Sequence, residues 1–158
     1  MLALGILLTA STTLLPLHGH PIDPLVIVHH WDARRSAAYL ADDPGRLRRL
    51  YAPGSAAGRT DLRTLAAYDR RGVRVTALTP QVLAVRVLSR DHASLRVRLR
   101  GRVAATGDDG HQCVRLPTSP ISTRDLTLRR DATRWVMVAV RAAGPGAAAH
   151  SQARADAR

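Results

Sequence analysis

At 158 residues the chain has room for one domain plus tails. All 24 of its cationic side chains are arginine and all 12 anionic ones aspartate, a net charge of +12; the lack of Lys, Glu, Asn and Phe reads as GC-rich coding, so the charge is partly compositional and does not by itself mark a nucleic-acid-binding protein. The single cysteine, Cys113, excludes an internal disulfide framework and a Cys-rich zinc site, and 3% aromatics leave a core of Leu, Val and Ala.

Residues 1–17, MLALGILLTASTTLLPL, carry no charge. Ser11, Thr12 and Thr13 break the run short of the roughly 20 apolar residues of a membrane span. It also lacks the basic opening and the cleavage site of a signal peptide. The expectation is nevertheless a leader that exports or anchors the chain, with a cytoplasmic protein as the alternative. Residues 18–24, HGHPIDP, read as a hinge.

From Leu25 to Ala41 the pattern predicts a helix with Leu25, Val28, Trp31 and Ala38 on one stripe. Asp43-Pro44 caps a short second helix with Leu47, Leu50 and Tyr51 inward and Arg46, Arg48 and Arg49 in water. A third helix is predicted over Gly58–Arg71, with Thr60 as cap, Asp61 at the positive end of the dipole, Leu62, Leu65 and Ala66 as stripe, and Gly72 as terminator. After Gly72 the period changes to two. Val73 and Val75 open one strand and Val82–Leu88 forms a second. Leu95, Val97, Leu99 and Val103 alternate with Arg96, Arg98, Arg100 and Arg102 in a third. Gly107–Gly110 is a turn, His111–Leu116 a less regular strand, and Leu126–Arg129 and Trp135–Arg141 a terminal hairpin. Residues 142–158 read as a disordered tail.

Three N-terminal helices followed by an antiparallel meander make an α+β domain over residues 25–141, with helices packed on one face of a curved sheet. Specific stretches carry a resemblance: Trp31-Asp32-Ala33-Arg34-Arg35, Leu50-Tyr51-Ala52-Pro53-Gly54-Ser55, Gly58-Arg59-Thr60-Asp61-Leu62-Arg63, and the closing Thr133-Arg134-Trp135-Val136-Met137. Together they resemble the nuclear transport factor 2-like superfamily, which includes SnoaL-like proteins with a cystatin-like cone, and within it short exported actinobacterial proteins. The resemblance implies a cone-shaped cavity. It does not choose among the dehydratases, isomerases, polyketide cyclases and non-catalytic binding domains that share the fold.

Within that frame Asp32, Tyr39 and Trp135 are the candidate catalytic residues. The competing expectations are that Asp32 pairs with Arg35 on the surface, that adjacent Trp31 and Asp32 point too far apart to line one pocket, and that the tyrosines are core-edge aromatics with wet tips. Cys113 reads as a small buried hydrophobe. His29 and His30, adjacent on a helix, do not converge on one ion, so no metal site and no cofactor is expected. Arg96, Arg98, Arg100 and Arg102 share one strand face about 7 Å apart. They form a candidate surface for anionic membranes or nucleic acid, the further alternative; the lack of interleaved aromatics counts against nucleic acid, and the competing expectation is a plain solvated face. The leading expectation is a non-catalytic accessory or binding domain at the cell envelope, holding a small apolar ligand or a protein partner. A SnoaL-like cavity enzyme is the alternative.

Overall fold

The computed structural model describes residues 22–143. The leader, most of the hinge and all but the first two residues of the tail lie outside the described residues. Three helices come first: α1 (Pro24–Leu40), α2 (Pro44–Arg48) and α3 (Ala56–Asp69). Five strands follow: β1 (Arg74–Arg90), β2 (Ser94–Asp108), β3 (Cys113–Arg115), β4 (Ser122–Asp131) and β5 (Arg134–Ala142).

Each helix starts where a short polar side chain meets a free backbone N–H. Asp23 accepts from Leu25 N at 2.8 Å with Pro24 in the first turn, so the end of the hinge belongs to α1. Asp43 accepts from Arg46 N, also at 2.8 Å. Ser55, not Thr60, caps α3 by accepting from Gly58 N at 3.3 Å. The third helix therefore starts earlier than the sequence suggested. Gly72, at φ 65°, turns the chain out of it as expected.

The sheet is antiparallel in the order β1-β2-β4-β5, and β3 pairs with the far end of β2. The two strands expected between Val73 and Leu88 are one, the 17-residue β1, with register shifts at Val75/Ala77, Val82/Ala84 and Val87/Ser89. Pro80 sits inside it opposite Val103. It is tolerated because β1 is a sheet edge, where a missing N–H need not cost a ladder bond. The shifts let a long edge strand bend over the helices, as bulges do.

The core lies between α1, the α2 segment and the inner sheet face. Val28, Leu47, Leu95, Val97, Leu128 and Met137 are fully buried there. The stripe of α1 is Ile27, Val28, Trp31, Ala38 and Tyr39; Leu25 stays 37% exposed, beside Val85 and Val87. In α3, Leu65 is buried while Ala66 faces out. Cys113 is exposed because the three-residue β3 hangs at the rim of the sheet, which corrects its reading as a core residue. The segment after α2 joins the sheet directly: Ala52 N donates to Met137 O at 2.9 Å, and Met137 N donates to Leu50 O at 2.8 Å. β5 bulges at that point, between its pairings with Thr127 and Leu128.

Gly58 lies where α3 crosses this joint. A Cβ there would come 2.8 Å from Cβ and Cγ of Tyr51. Alanine in a helix gains up to about 1 kcal/mol over glycine, whereas overpacking a closed site costs about 1–3 kcal/mol. Tyr51 is held at both ends, so the crowding wins. Gly58→Ala is expected to lower the unfolding free energy by about 1 kcal/mol in urea titration, and an equal or more stable variant would show that the joint yields.

Candidate functional site

Between α1, α3 and the inner sheet face lies a cavity of about 370 Å³. Its apolar lining comes from Trp31, Val82, Leu99, Leu126, Met137 and Val140; Asp32, Arg35, Tyr51, Asp61 and Arg124 supply polar atoms. A smaller cavity of about 220 Å³ adjoins it and shares Arg35, Asp61, Val103 and Arg124.

Asp61 organises the polar residues. Arg35 of α1 grips its carboxylate with two bonds, Nε to Oδ2 at 2.5 Å and Nη2 to Oδ1 at 2.8 Å. The Tyr51 hydroxyl donates to Oδ2 as well. The Tyr39 hydroxyl donates to the backbone carbonyl of Asp61 at 3.1 Å, and Arg35 lies over the Tyr39 ring, 5.0 Å from its centre. Trp31 meets Tyr51 edge-on, 5.4 Å between ring centres, and its Nε1 donates to Leu50 O at 3.0 Å. Burial works against the Arg35 charge, but the bonds to Asp61 outweigh it and hold the guanidinium more firmly protonated than a free arginine. Burial, reinforced by the Asp61 carboxylate, pushes both Tyr51 and Tyr39 above the ordinary phenol range, so each hydroxyl serves as a fixed donor.

Asp32 does not form the surface pair with Arg35 that its spacing suggested, because Arg35 is committed to Asp61. Trp31 and Asp32 both line the cavity, which wraps around α1 far enough to touch neighbouring positions. Burial pushes the Asp32 carboxyl above the usual carboxylate range; Arg35, Arg124 and His29 pull it back without cancelling the effect. Tyr39 is buried beneath Arg35 and borders only the smaller cavity, and its hydroxyl tip, like that of Tyr51, is hydrogen-bonded rather than wet. Trp135 is elsewhere. It packs beside Ile27, His30 and Trp31 on the other side of α1 and lines neither cavity.

Sequence reading passed over Asp61 and Arg124. With Thr60 as cap, Asp61 belonged to an exposed first turn; with Ser55 as cap, it lies in the second turn of α3, one helical turn before buried Leu65. Arg124 is two residues before buried Leu126 on β4, and that parity marks it as inward. Its Nε is buried and has no hydrogen-bond partner among the described residues.

The arginine row lies on the opposite sheet face, although Arg102 at its end also borders the main cavity. Arg96, Arg100 and Arg102 are exposed, and Arg98 is half-buried. Arg98 makes a two-bond fork to Asp125 at 2.7 and 2.9 Å, and Arg102 Nε donates to Gln81 at 2.6 Å. Strand register sets Arg86, Arg98, Asp125 and Arg141 side by side, so one carboxylate stands in a cross-strand row of three guanidiniums. Among the described residues no group of three or more His, Cys, Asp or Glu is placed to hold a metal ion, and no helix is long and apolar enough to cross a membrane.

Helices laid across a bent antiparallel sheet over a cavity recur in solved structures. The chain resembles a candidate aromatic ring hydroxylase from Novosphingobium aromaticivorans at a TM-score of 0.53 and 10% identity, covering 80% of this chain and 93% of that one. It resembles Rv3472, a function-unknown protein from Mycobacterium tuberculosis, at a TM-score of 0.50 and 12% identity, covering 75% and 74%. A nuclear transport factor 2-like protein with a cystatin-like fold, also from N. aromaticivorans, aligns at 0.46 and 15% identity, covering 80% and 86%. The chain shares the α+β fold of the first two, three helices laid across an antiparallel sheet. No family model and no curated protein matches its sequence. At these identities the likeness is one of fold, and the residues that line the cavity are this chain's own.

Asp32 generates a sign-defined prediction. A carboxyl whose folded pKa is raised binds its proton more tightly in the folded state than in the unfolded one. Folding is therefore least penalised below the unfolded value and loses stability as pH rises through the folded value. Asp32→Asn removes that loss. Urea midpoints are expected to show the variant more stable than the native chain at pH 8, with the gap narrowing at pH 4; a gap that widens on acidification would contradict the assignment.

Proposed function

We propose that the domain is a binding module that takes a small, largely apolar molecule into the cavity between α1, α3 and the sheet. The observation that carries this reading is the cavity itself. Its volume of about 370 Å³ falls in the range of small-molecule sites, and apolar walls with a few fixed polar groups are their usual lining. The internal satisfaction of Arg35, Asp61 and Tyr51 supports it further, because these groups hold the walls apart without needing a ligand. The charge-free stretch 1–17 supports placing this module at the cell envelope, exported or anchored.

The neutral dye N-phenyl-1-naphthylamine tests the reading, since its fluorescence rises in apolar sites. It is expected to bind the native protein at micromolar concentration. Ala57→Phe, which fills the cavity from α3, is expected to weaken binding at least tenfold while the far-ultraviolet dichroism stays unchanged. Equal binding by both proteins would place the dye outside the cavity and sink the reading.

Asp32 favours a second reading, a cavity enzyme of the isomerase or dehydratase type. A carboxyl held toward its neutral form in an apolar cavity is suited to exchange a proton with a bound molecule. Exchange of the α-protons of 2-tetralone in D2O, followed by proton magnetic resonance, is then expected to be faster with the native protein than with Asp32→Asn. Equal rates would remove this second reading and leave the binding module.

A further inference from the structure

Three charged side chains of the inner layer differ in how they are answered. Arg35 is matched by a two-bond fork to Asp61. Asp32 makes no salt bridge among the described residues. Arg124 projects from β4 on the inward face, opposite Leu99 in the β2 register and two residues before Leu126, both of which line the cavity. It borders the main cavity and the smaller one alike. Its Nε is buried with no hydrogen-bond partner among the described residues. On the outer face, Arg98 shows what a satisfied arginine of this sheet looks like, with both bonds of its fork closed on Asp125.

A guanidinium keeps its charge at any ordinary pH, so the N–H groups of Arg124 that reach the cavity are donors seeking an acceptor there. The planar fork suits a group with two coplanar acceptor oxygens. We propose that Arg124 anchors the carboxylate of an otherwise apolar monocarboxylic acid, whose body lies against Trp31, Leu99, Leu126 and Met137. A singly charged carboxylate fits better than a phosphate, because Asp32 and Asp61 line the same cavity and oppose further negative charge. This inference rests on the cavity being the binding site, and it adds the class of ligand.

The test compares two isosteric probes, naphthalene-2-carboxylate and naphthalene-2-carboxamide, by isothermal titration calorimetry and by displacement of N-phenyl-1-naphthylamine. The native protein is expected to bind the carboxylate at least tenfold more tightly than the carboxamide. Arg124→Gln is expected to erase that preference while leaving carboxamide affinity within about twofold. Arg100→Gln, on the outer sheet face, is expected to keep it, which separates a fork in the cavity from general attraction to a cationic protein.

Equal affinity of the two probes for the native protein would overturn the inference, and so would a preference that survives in Arg124→Gln. Should Arg124→Gln fail to fold, the native comparison and Arg124→Lys, which keeps the charge but loses the fork, still decide it: lysine is expected to lose most of the preference. If the dye binds and neither naphthalene probe displaces it, the anchor is wrong and the cavity reading stands. If the dye does not bind either, the cavity reading fails and takes this inference with it.

Discussion

The carboxylate of Asp61 holds the helical layer in register with itself. It takes the fork of Arg35 from α1 and the hydroxyl of Tyr51 from the segment after α2, while its own backbone carbonyl takes the hydroxyl of Tyr39. Three stretches of chain are fixed by one side chain. From Tyr51 the constraint passes edge-on to Trp31, and Trp31 Nε1 shares the Leu50 carbonyl with the backbone N–H of Met137 in β5. The connection from α3 to the sheet thus runs through two aromatic rings and one carbonyl. Half-buried ion pairs of this kind add little over an apolar replacement of the same volume, yet losing one partner costs about 3–5 kcal/mol because the other is left unanswered. Their role here is directional. An apolar substitute would fill the space without fixing which way Tyr51 and Trp31 face.

That closed network also determines what the cavity offers. Because Arg35 and Asp61 answer each other, neither is free to meet a ligand strongly. Arg102, which also borders the cavity, has its Nε on Gln81, so Asp32 on α1 and Arg124 on β4 are the charged lining groups without a side-chain bond among the described residues. Each has a property that follows from its surroundings: burial raises the Asp32 carboxyl above the usual carboxylate range, and Arg124 Nε is buried without a partner among the described residues. Both would behave ordinarily on the surface. Their position beside a self-satisfied network, with no salt bridge of their own among the described residues, leaves them able to meet a guest.

Much of the fold was legible because its signals are local. Asp43-Pro44 announces α2, Gly72 ends the helical half, and the alternation from Leu95 to Val103 sets the inner and outer faces of β2. The long β1 was not legible, since Pro80 argues for a break unless the strand is known to lie at the edge, and edge position is a property of the whole sheet. The site was less legible still. Asp61 was misread through a helix cap placed five residues late, at Thr60 instead of Ser55, although its spacing of four from Leu65 puts it over the buried face. Arg124 could have been placed inward by parity with Leu126 and Leu128, a signal as plain as the one used for the arginines of β2. Trp135 drew notice as an aromatic near the end of the domain, but which side of α1 it packs on depends on the β4–β5 register, and that is a long-range fact.

The arginine bias and the site are connected more closely than composition alone suggests. On the outer sheet, where Arg96 and Arg100 face water, lysine would do as well as arginine. Position 35 is different. A lysine ammonium is a point charge, so it could meet Asp61 at one oxygen but could not hold both while lying flat over the Tyr39 ring. Position 124 is different again, since a lysine there would offer the cavity a point charge in place of a planar fork. The residue type that leaves most of the +12 uninformative therefore supplies, at two inward positions, a cation whose planar shape suits the cavity.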